Sequence, residues 1–396
     1  MKLLVLLSRF PYPLDKGDKL RAYYQLRELA QRHEICLFAL TDEEISAEAL
    51  AQVQPLCRGG LLVHRLRRPA IARNMARALA TGRPLQIGYF HDARAQREVD
   101  GLLRDFRPDH VYCQLVRMAE YLRPHAGRYA MTLDYMDVFS AGMARRATQA
   151  PRWQRAVWAL EAQRLLAYEA AAFDWFQHHT IISDQDRQLI RHPRRAEIDI
   201  VLNGIDTAFF RPRPEAAKVC DVLFCGNMSY HPNVDAACFL AEEIMPLVRQ
   251  RHPAARLLVA GTTPAPRVQA LASAHVEISG WVPDIRAAYA GARVFAAPMR
   301  VGTGLQNKLL EAMAMRLPSV TTPLANNALG GTDGHDLRVA ADAAGLAEAI
   351  GGLLDDGAAA DALAGRGLAF VRQRYDWAGA TGRLERLFEA GRRAAG

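Results

Sequence analysis

The sequence predicts an α/β protein of two doubly wound, Rossmann-like domains with parallel sheets. Three observations carry that expectation. The chain opens on an apolar strand-like run, Lys2 to Leu7, then a turn-rich loop, Ser8 to Lys19. A one-sided helical stretch, Leu20 to Arg32, and a second apolar run, Glu34 to Leu40, follow. After a proline-punctuated stretch, Arg211 to Lys218, the same order restarts with Val219 to Met228. A third such unit spans Ala292 to Thr322: strand, glycine-bearing turn, helix, a stop at Pro318, and a short strand. At 396 residues the chain exceeds one typical core, which agrees with two domains.

Composition bounds the partners. The net charge of +8 favours an anionic one, whether nucleotide, nucleic acid or lipid headgroup. Six cysteines lie in no metal-like pairing, several of them in apolar runs, as expected in a reducing compartment. No run approaches the roughly 18 apolar residues of a membrane span, and Leu3 to Leu7 is too short for a signal peptide. A cytoplasmic protein is expected.

Taken in order, the Ser8–Lys19 loop stands at the carboxyl end of the first strand, where doubly wound sheets bind ligands. Its glycine, Gly17, belongs to no GxGxxG fingerprint, so the loop is either part of a site or plain surface. Leu61 to Leu79 is rich in arginine and contains an amphipathic helix, Ala70 to Ala80. That helix suits either an anionic membrane face or open solvent. Strands follow at His110 to Cys113 and Tyr129 to Leu133. The second runs into Asp134 and Asp137, placed either for chemistry or to cap the next helix. The longest helical pattern, residues 152–178, carries Trp153, Trp158 and Trp175 and is expected to pack on the sheet. Ile198 to Leu202 ends at Asn203-Gly204, a turn that marks a domain boundary. The second half continues with helix Asn233 to Arg251, strands Ala255 to Gly261 and Val276 to Gly280, and helix Ile285 to Ala290.

The chemistry concentrates between Met299 and Val320. Helix Gln306 to Met315 begins after Gly302 and Gly304, so its unpaired N–H groups and dipole favour an anion. Lys308 falls in its first turn, Arg300 precedes it, and Glu311 lies three residues beyond Lys308 on the same side. Cations beside a carboxylate suit a nucleotide, the former for phosphates and the latter for ribose hydroxyls.

Glu311-Ala312-Met313-Ala314, followed by Leu317-Pro318-Ser319-Val320, resembles the donor-binding element of the family 4 retaining glycosyltransferases, which have the GT-B fold. Asn203-Gly204-Ile205-Asp206 with Phe210 and Pro212 resembles the family's domain junction. Gly280-Trp281-Val282-Pro283-Asp284 resembles the segment whose backbone edges the base, and Val282 is carried over for that role. Gly17 is similar to the glycine loop that approaches the donor phosphates. Phe370 to Phe388 is similar to the last helix, which crosses back onto the N-terminal domain. Pro11 to Lys19 resembles sugar transferases of bacterial exopolysaccharide clusters. The chain departs from the pattern at Thr303, where the family has a sugar-contacting Glu, and at Arg316, where it has Gly. It departs again at Asn227 to His231, where an Arg and a Lys are usual after Gly226.

The resemblance implies domains at 1–205 with 375–396 and at 206–374. It implies transfer, with retention, of a sugar from a nucleotide-diphosphate donor to a glycan or polyprenyl-linked acceptor, with no cofactor, no required metal and no nucleic-acid partner. Peripheral contact with an anionic membrane also belongs to this expectation. Lys308 and Arg300 would replace the missing diphosphate cations. Gly226, Asn227 and the backbone of Gly304 and Leu305 would line the donor, and Asp134 and Asp137 would face the sugar beside Lys308. An epimerase of GT-B shape and a nucleotide-binding module without catalysis stand as alternatives.

Overall fold

The computed structural model describes residues 1–301 and 305–395, which form two compact units. The first comprises Met1–Asn203 and the chain from Trp377 onward; the second is Gly204–Asp376.

The first unit holds seven strands: β1 (Lys2–Leu7), β2 (Glu34–Thr41), β3 (Gly60–Arg65), β4 (His110–Gln114), β5 (Met131–Met136), β6 (His178–Ile181) and β7 (Asp199–Ile200). Their order is β3-β2-β1-β4-β5-β6-β7 and every pairing is parallel. The second unit holds β8 (Cys220–Cys225), β9 (Leu257–Ala260), β10 (Val276–Gly280), β11 (Ala292–Ala297), β12 (Ser319–Thr321) and β13 (Arg338–Val339). Here the order is β10-β9-β8-β11-β12-β13, again all parallel. In each sheet the winding reverses beside the first strand, between β1 and β4 and between β8 and β11. A crevice opens at the carboxyl ends of such a pair. Helices cover both faces of these sheets, which is why β1 and β8 read as unbroken apolar runs. All six cysteines are buried free thiols within these cores.

The last helix, Trp377–Ala395, closes one face of the first sheet. Leu384 and Phe388 are fully buried among Leu3, Val5 and Tyr112, each contributing roughly 1.5–3 kcal/mol. Trp377 stacks on Tyr24 with ring centroids 5.2 Å apart, and Glu385 accepts from Arg32 at 2.7 Å.

Several elements differ from the sequence reading, each for a physical reason. The first helix starts at Gly17 rather than Leu20, and Asp18 in its first turn pairs with Arg9 at 2.7 Å. The basic stretch from Leu61 begins as strand β3, and its helix starts at Arg68 with Pro69 in the first turn. The stretch 152–178 is helical only to Phe173, and β6 takes up the chain at His178. Asn233 to Arg251 is not one regular helix: a π turn at Leu240–Ile244 joins His231–Phe239 to Met245–Arg251. Pro246 lacks the N–H that a continuous α-helix would use there. Phe370 to Phe388 breaks at Tyr375 and Asp376, where the Ile205 N–H donates to the Tyr375 carbonyl at 2.7 Å.

Asp134 neither faces a ligand nor caps a helix. It is fully buried and accepts from Arg21 at 2.7 and 3.2 Å, from the Tyr112 hydroxyl at 2.7 Å and from the Thr180 hydroxyl at 2.9 Å. Arg21, equally buried, also donates to the Val201 carbonyl at 2.9 Å and to Asn203 Oδ1 at 2.8 Å, tying the first helix to β5 and to the end of the unit. The next helix, Phe139–Gln149, has Val138 at its cap, and Glu169 accepts the Ser140 N–H at 3.1 Å instead of Asp137. Replacing Arg21 by Met strands a buried carboxylate and is expected to cost about 3–5 kcal/mol in chemical denaturation. Adding Asp134→Asn to that variant should recover part of the loss. A loss in Arg21→Met no larger than that of a surface change would contradict this role.

Candidate functional site

Three strand ends meet at the carboxyl edge of the second sheet. The Gly226 N–H donates to the Ala260 carbonyl at 3.1 Å, and the Gly261 N–H to the Gly280 carbonyl at 2.9 Å. Gly261 has φ of +142°, and a Cβ there would lie 1.7 Å from the Gly226 oxygen, so no other residue fits between β8 and β9. After Gly226 the chain turns tightly, with Asn227 Oδ1 accepting from the Ser229 N–H at 2.9 Å and the Ser229 hydroxyl at 2.8 Å.

Asn233, on the helix that follows, connects this turn to the other side of the crevice. Its amide donates to the Asn227 carbonyl at 2.9 Å, and its Oδ1 accepts from Lys308 Nζ at 2.6 Å. Lys308 sits near the start of helix Asn307–Ala314, with Nζ 5.3 Å from the Phe224 ring centroid and 3.3 Å from Gln306 Oε1. Among the described residues no carboxylate lies within ion-pair reach of it. Burial pulls its pKa down, which marks an ammonium lacking full compensation.

Glu311 is held apart from Lys308. Its Oε2 accepts from the Tyr289 hydroxyl at 2.7 Å, and that hydroxyl in turn accepts from Cys225 Sγ at 2.9 Å. Burial pushes the Glu311 carboxyl up, against the lowering effects of the Tyr289 bond and Lys308. Tyr289 therefore fixes the direction in which Glu311 points. The helix Ile285–Gly291 that carries Tyr289 starts at Asp284, whose side chain accepts the Arg286 N–H at 3.0 Å.

The other expected residues fall as follows. Gly226, Asn227, Lys308 and Glu311 come together. Val282 is half-buried just past the end of β10, beside Trp281, which is 67 % exposed. Leu305 is half-buried and precedes the helix cap Gln306. Arg300 is engaged elsewhere: it pairs with Asp235 at 2.9 Å and Glu243 at 3.4 Å and lies 4.0 Å from the Phe239 ring centroid. To reach a diphosphate it would have to leave Asp235. Thr303 and Gly304 lie outside the described residues. Gly17 and Asp137 belong to the first unit, where Asp137 is exposed past the end of β5 and Gly17 opens the first helix.

A half-buried amine whose partners among the described residues are neutral, a carboxylate three residues on, and a tight glycine turn can hold a phosphate-bearing ligand. Known proteins resemble the chain in sequence and in fold. Residues 220–356 match the family model described as glycosyl transferases group 1. The chain is a glycosyltransferase. It is 22 % identical to an uncharacterised 44.6 kDa protein in the cps region of Klebsiella pneumoniae, over 95 % of this chain and 96 % of that one. Its fold is similar to sucrose-phosphate synthase from Thermosynechococcus elongatus, with a TM-score of 0.64 at 15 % identity over 98 % of this chain and 99 % of that one. It is also similar to a glycosyltransferase from Rickettsia africae, at a TM-score of 0.66, 11 % identity and 98 % of both chains. A third solved structure, HepE of Anabaena in complex with UDP, gives 0.63 at 13 % identity over 98 % of this chain and 100 % of that one. Two parallel Rossmann-like sheets with these neighbours make the glycosyltransferase a GT-B one.

Sequence reading missed Asn233 and Tyr289. The signal for Asn233 was a polar residue among Val234, Ala236, Ala237 and Phe239 on a helix facing the sheet. Tyr289 had none beyond its place in an alanine-rich helix. Tyr289→Phe removes one bond to a carboxylate, worth about 1.5–3 kcal/mol. Stability in chemical denaturation should therefore fall by about that amount. Unchanged stability would show that Tyr289 does not hold Glu311.

Proposed function

We propose that this glycosyltransferase moves a sugar from a nucleotide-diphosphate donor, with retention, to a glycan or lipid-linked acceptor in exopolysaccharide synthesis. The observation that carries the donor half is Lys308, a half-buried ammonium at the β8/β11 crevice whose strongest partner is a neutral amide. A departing diphosphate brings the negative charge that this position lacks. Lys308 and the N–H groups opening its helix would stabilise that charge as the bond from the sugar to the diphosphate breaks. Glu311, oriented by Tyr289, would accept from the ribose hydroxyls. That HepE of Anabaena has been solved with UDP and with UDP-glucose supports a UDP-sugar as the first donor to test. The cps-region relative supports a place in polysaccharide assembly.

The sugar contact is proposed for the backbone N–H groups around Gly304 and Leu305, since Thr303 cannot bridge two hydroxyls as a Glu does. The epimerase alternative needs two available carboxylates, and Asp134 is enclosed by Arg21, Tyr112 and Thr180. Among the described residues no helix is long and apolar enough to cross a membrane. Any membrane contact is proposed to be peripheral, through the basic helix Arg68–Ala80.

Lys308→Ala should weaken UDP binding by about ten- to a hundredfold, the weight of one charge-assisted contact. Arg300→Ala should weaken it less, because Asp235 already neutralises that guanidinium. Calorimetry on samples with unchanged circular dichroism decides. Equal affinity of Lys308→Ala and the parent protein would overturn the donor assignment.

A further inference from the structure

The first unit has its own crevice, at the reversal between β1 and β4. A cleft of about 450 Å³ opens there, lined by Arg9 from the chain after β1 and Arg117 from the chain after β4. Arg117 is half-buried, and its Nε and Nη2 both donate to one neutral oxygen, Gln86 Oε1, at 3.2 and 2.9 Å. Its guanidinium lies 4.2 Å from the Phe139 ring centroid and 4.9 Å from that of Phe90. Among the described residues no carboxylate is within ion-pair reach of it. Burial pulls its pKa down to about 10, with Arg9 adding to the fall and Asp18 and Asp137 opposing it at longer range.

The acidic side chains of the cleft are mostly committed. Glu161 accepts the N–H groups of Leu85 and Gln86 at 2.9 and 3.0 Å, and Asp42 accepts the Tyr89 hydroxyl at 2.6 Å. Glu43 is exposed. Lys16 and Arg146, both exposed, bring the cations of the lining to four, with Arg146 3.9 Å from the Trp158 ring centroid.

The lining of the cleft also has an apolar part that continues onto the surface. Val157 and Trp158 of the long helix Arg152–Phe173 line it. On the same helix Trp153 is 78 %, Val157 54 % and Leu160 45 % exposed, so an apolar strip runs from the cleft onto the surface. Met75 of the basic helix Arg68–Ala80 forms another part of the lining, and Arg73 and Arg77 of that helix are exposed.

We infer that this cleft binds the phosphate end of a long-chain lipid phosphate, anion on Arg117 and chain along Val157, Trp158 and Trp153. A sugar or inorganic anion alone would leave the apolar strip in water, and a neutral lipid would leave Arg117 uncompensated. The cleft is thereby the seat of a lipid-linked acceptor, an assignment that rests on the transferase reading above but concerns binding alone.

The test is calorimetry on the full chain with farnesyl phosphate below its micellar concentration, against farnesol and inorganic phosphate. Farnesyl phosphate should bind at least about tenfold more tightly than either, since each probe lacks one half of the complementarity. Arg117→Gln should remove most of that advantage. Val157→Asp, at an exposed position that leaves the fold intact, should weaken farnesyl phosphate and leave inorganic phosphate unchanged. Farnesol binding as tightly as its phosphate, or full affinity in both variants, would overturn the inference. UDP titrated into the same samples reports the donor site separately. Loss of UDP binding with farnesyl phosphate retained would sink the donor reading and keep this one, and the converse would do the reverse.

Discussion

An ammonium partly withdrawn from water needs a counter-charge, and among the described residues the hydrogen-bond partners of Lys308 are all neutral. That unmet requirement organises the second unit. Asn233 Oδ1 holds the amine at 2.6 Å while its own amide group pins the turn after β8 at 2.9 Å. The turn in turn depends on the contact of Gly261 with the Gly226 carbonyl, which only a glycine permits. Glu311 is the nearest conceivable counter-ion, and Tyr289 draws it aside at 2.7 Å. A neutral hydrogen-bond partner is enough to keep the fold and too little to satisfy the charge. What remains is electrostatic room for an anion at the place where a doubly wound sheet opens.

The cations of this chain separate by how they are matched. Arg21 is fully buried and meets a buried carboxylate through two hydrogen bonds, so it belongs to the fold. Arg300 and Arg32 find acids at the surface, where such pairs contribute little. Lys308 and Arg117 are half-buried, near aromatic rings, and among the described residues hydrogen-bonded to neutral groups. They also stand at equivalent places, past the strands that flank the reversal in each sheet. Charge without a counter-charge at two topologically matched crevices is a more specific signal than the net charge of the whole chain.

Much of the architecture was legible because parallel strands buried on both faces need unbroken apolar runs. Lys2 to Leu7, Val219 to Cys225 and Ala292 to Ala297 were readable on that ground. Strand β3 was hidden by arginines on either side of it, and the helix expected over Phe370 to Phe388 concealed a break that only the contact between Tyr375 and Ile205 explains. Lys308 and Glu311 could be named since their spacing along one helix is local. Asp134 was misread because its partner, Arg21, is 113 residues away in sequence. Asn233 and Tyr289 act across the sheet on residues far along the chain, and no local pattern announces such pairs.

The central claim is that a nucleoside diphosphate settles between the turn after β8 and the start of the helix bearing Lys308. Hydrogen–deuterium exchange of the full chain with and without UDP tests it most directly. The account predicts slowed exchange at the amides of residues 226–231 and 305–309, with little change in β3 or the helix Arg152–Phe173. Protection confined to the first unit, or none in these two segments at saturating UDP, would contradict it.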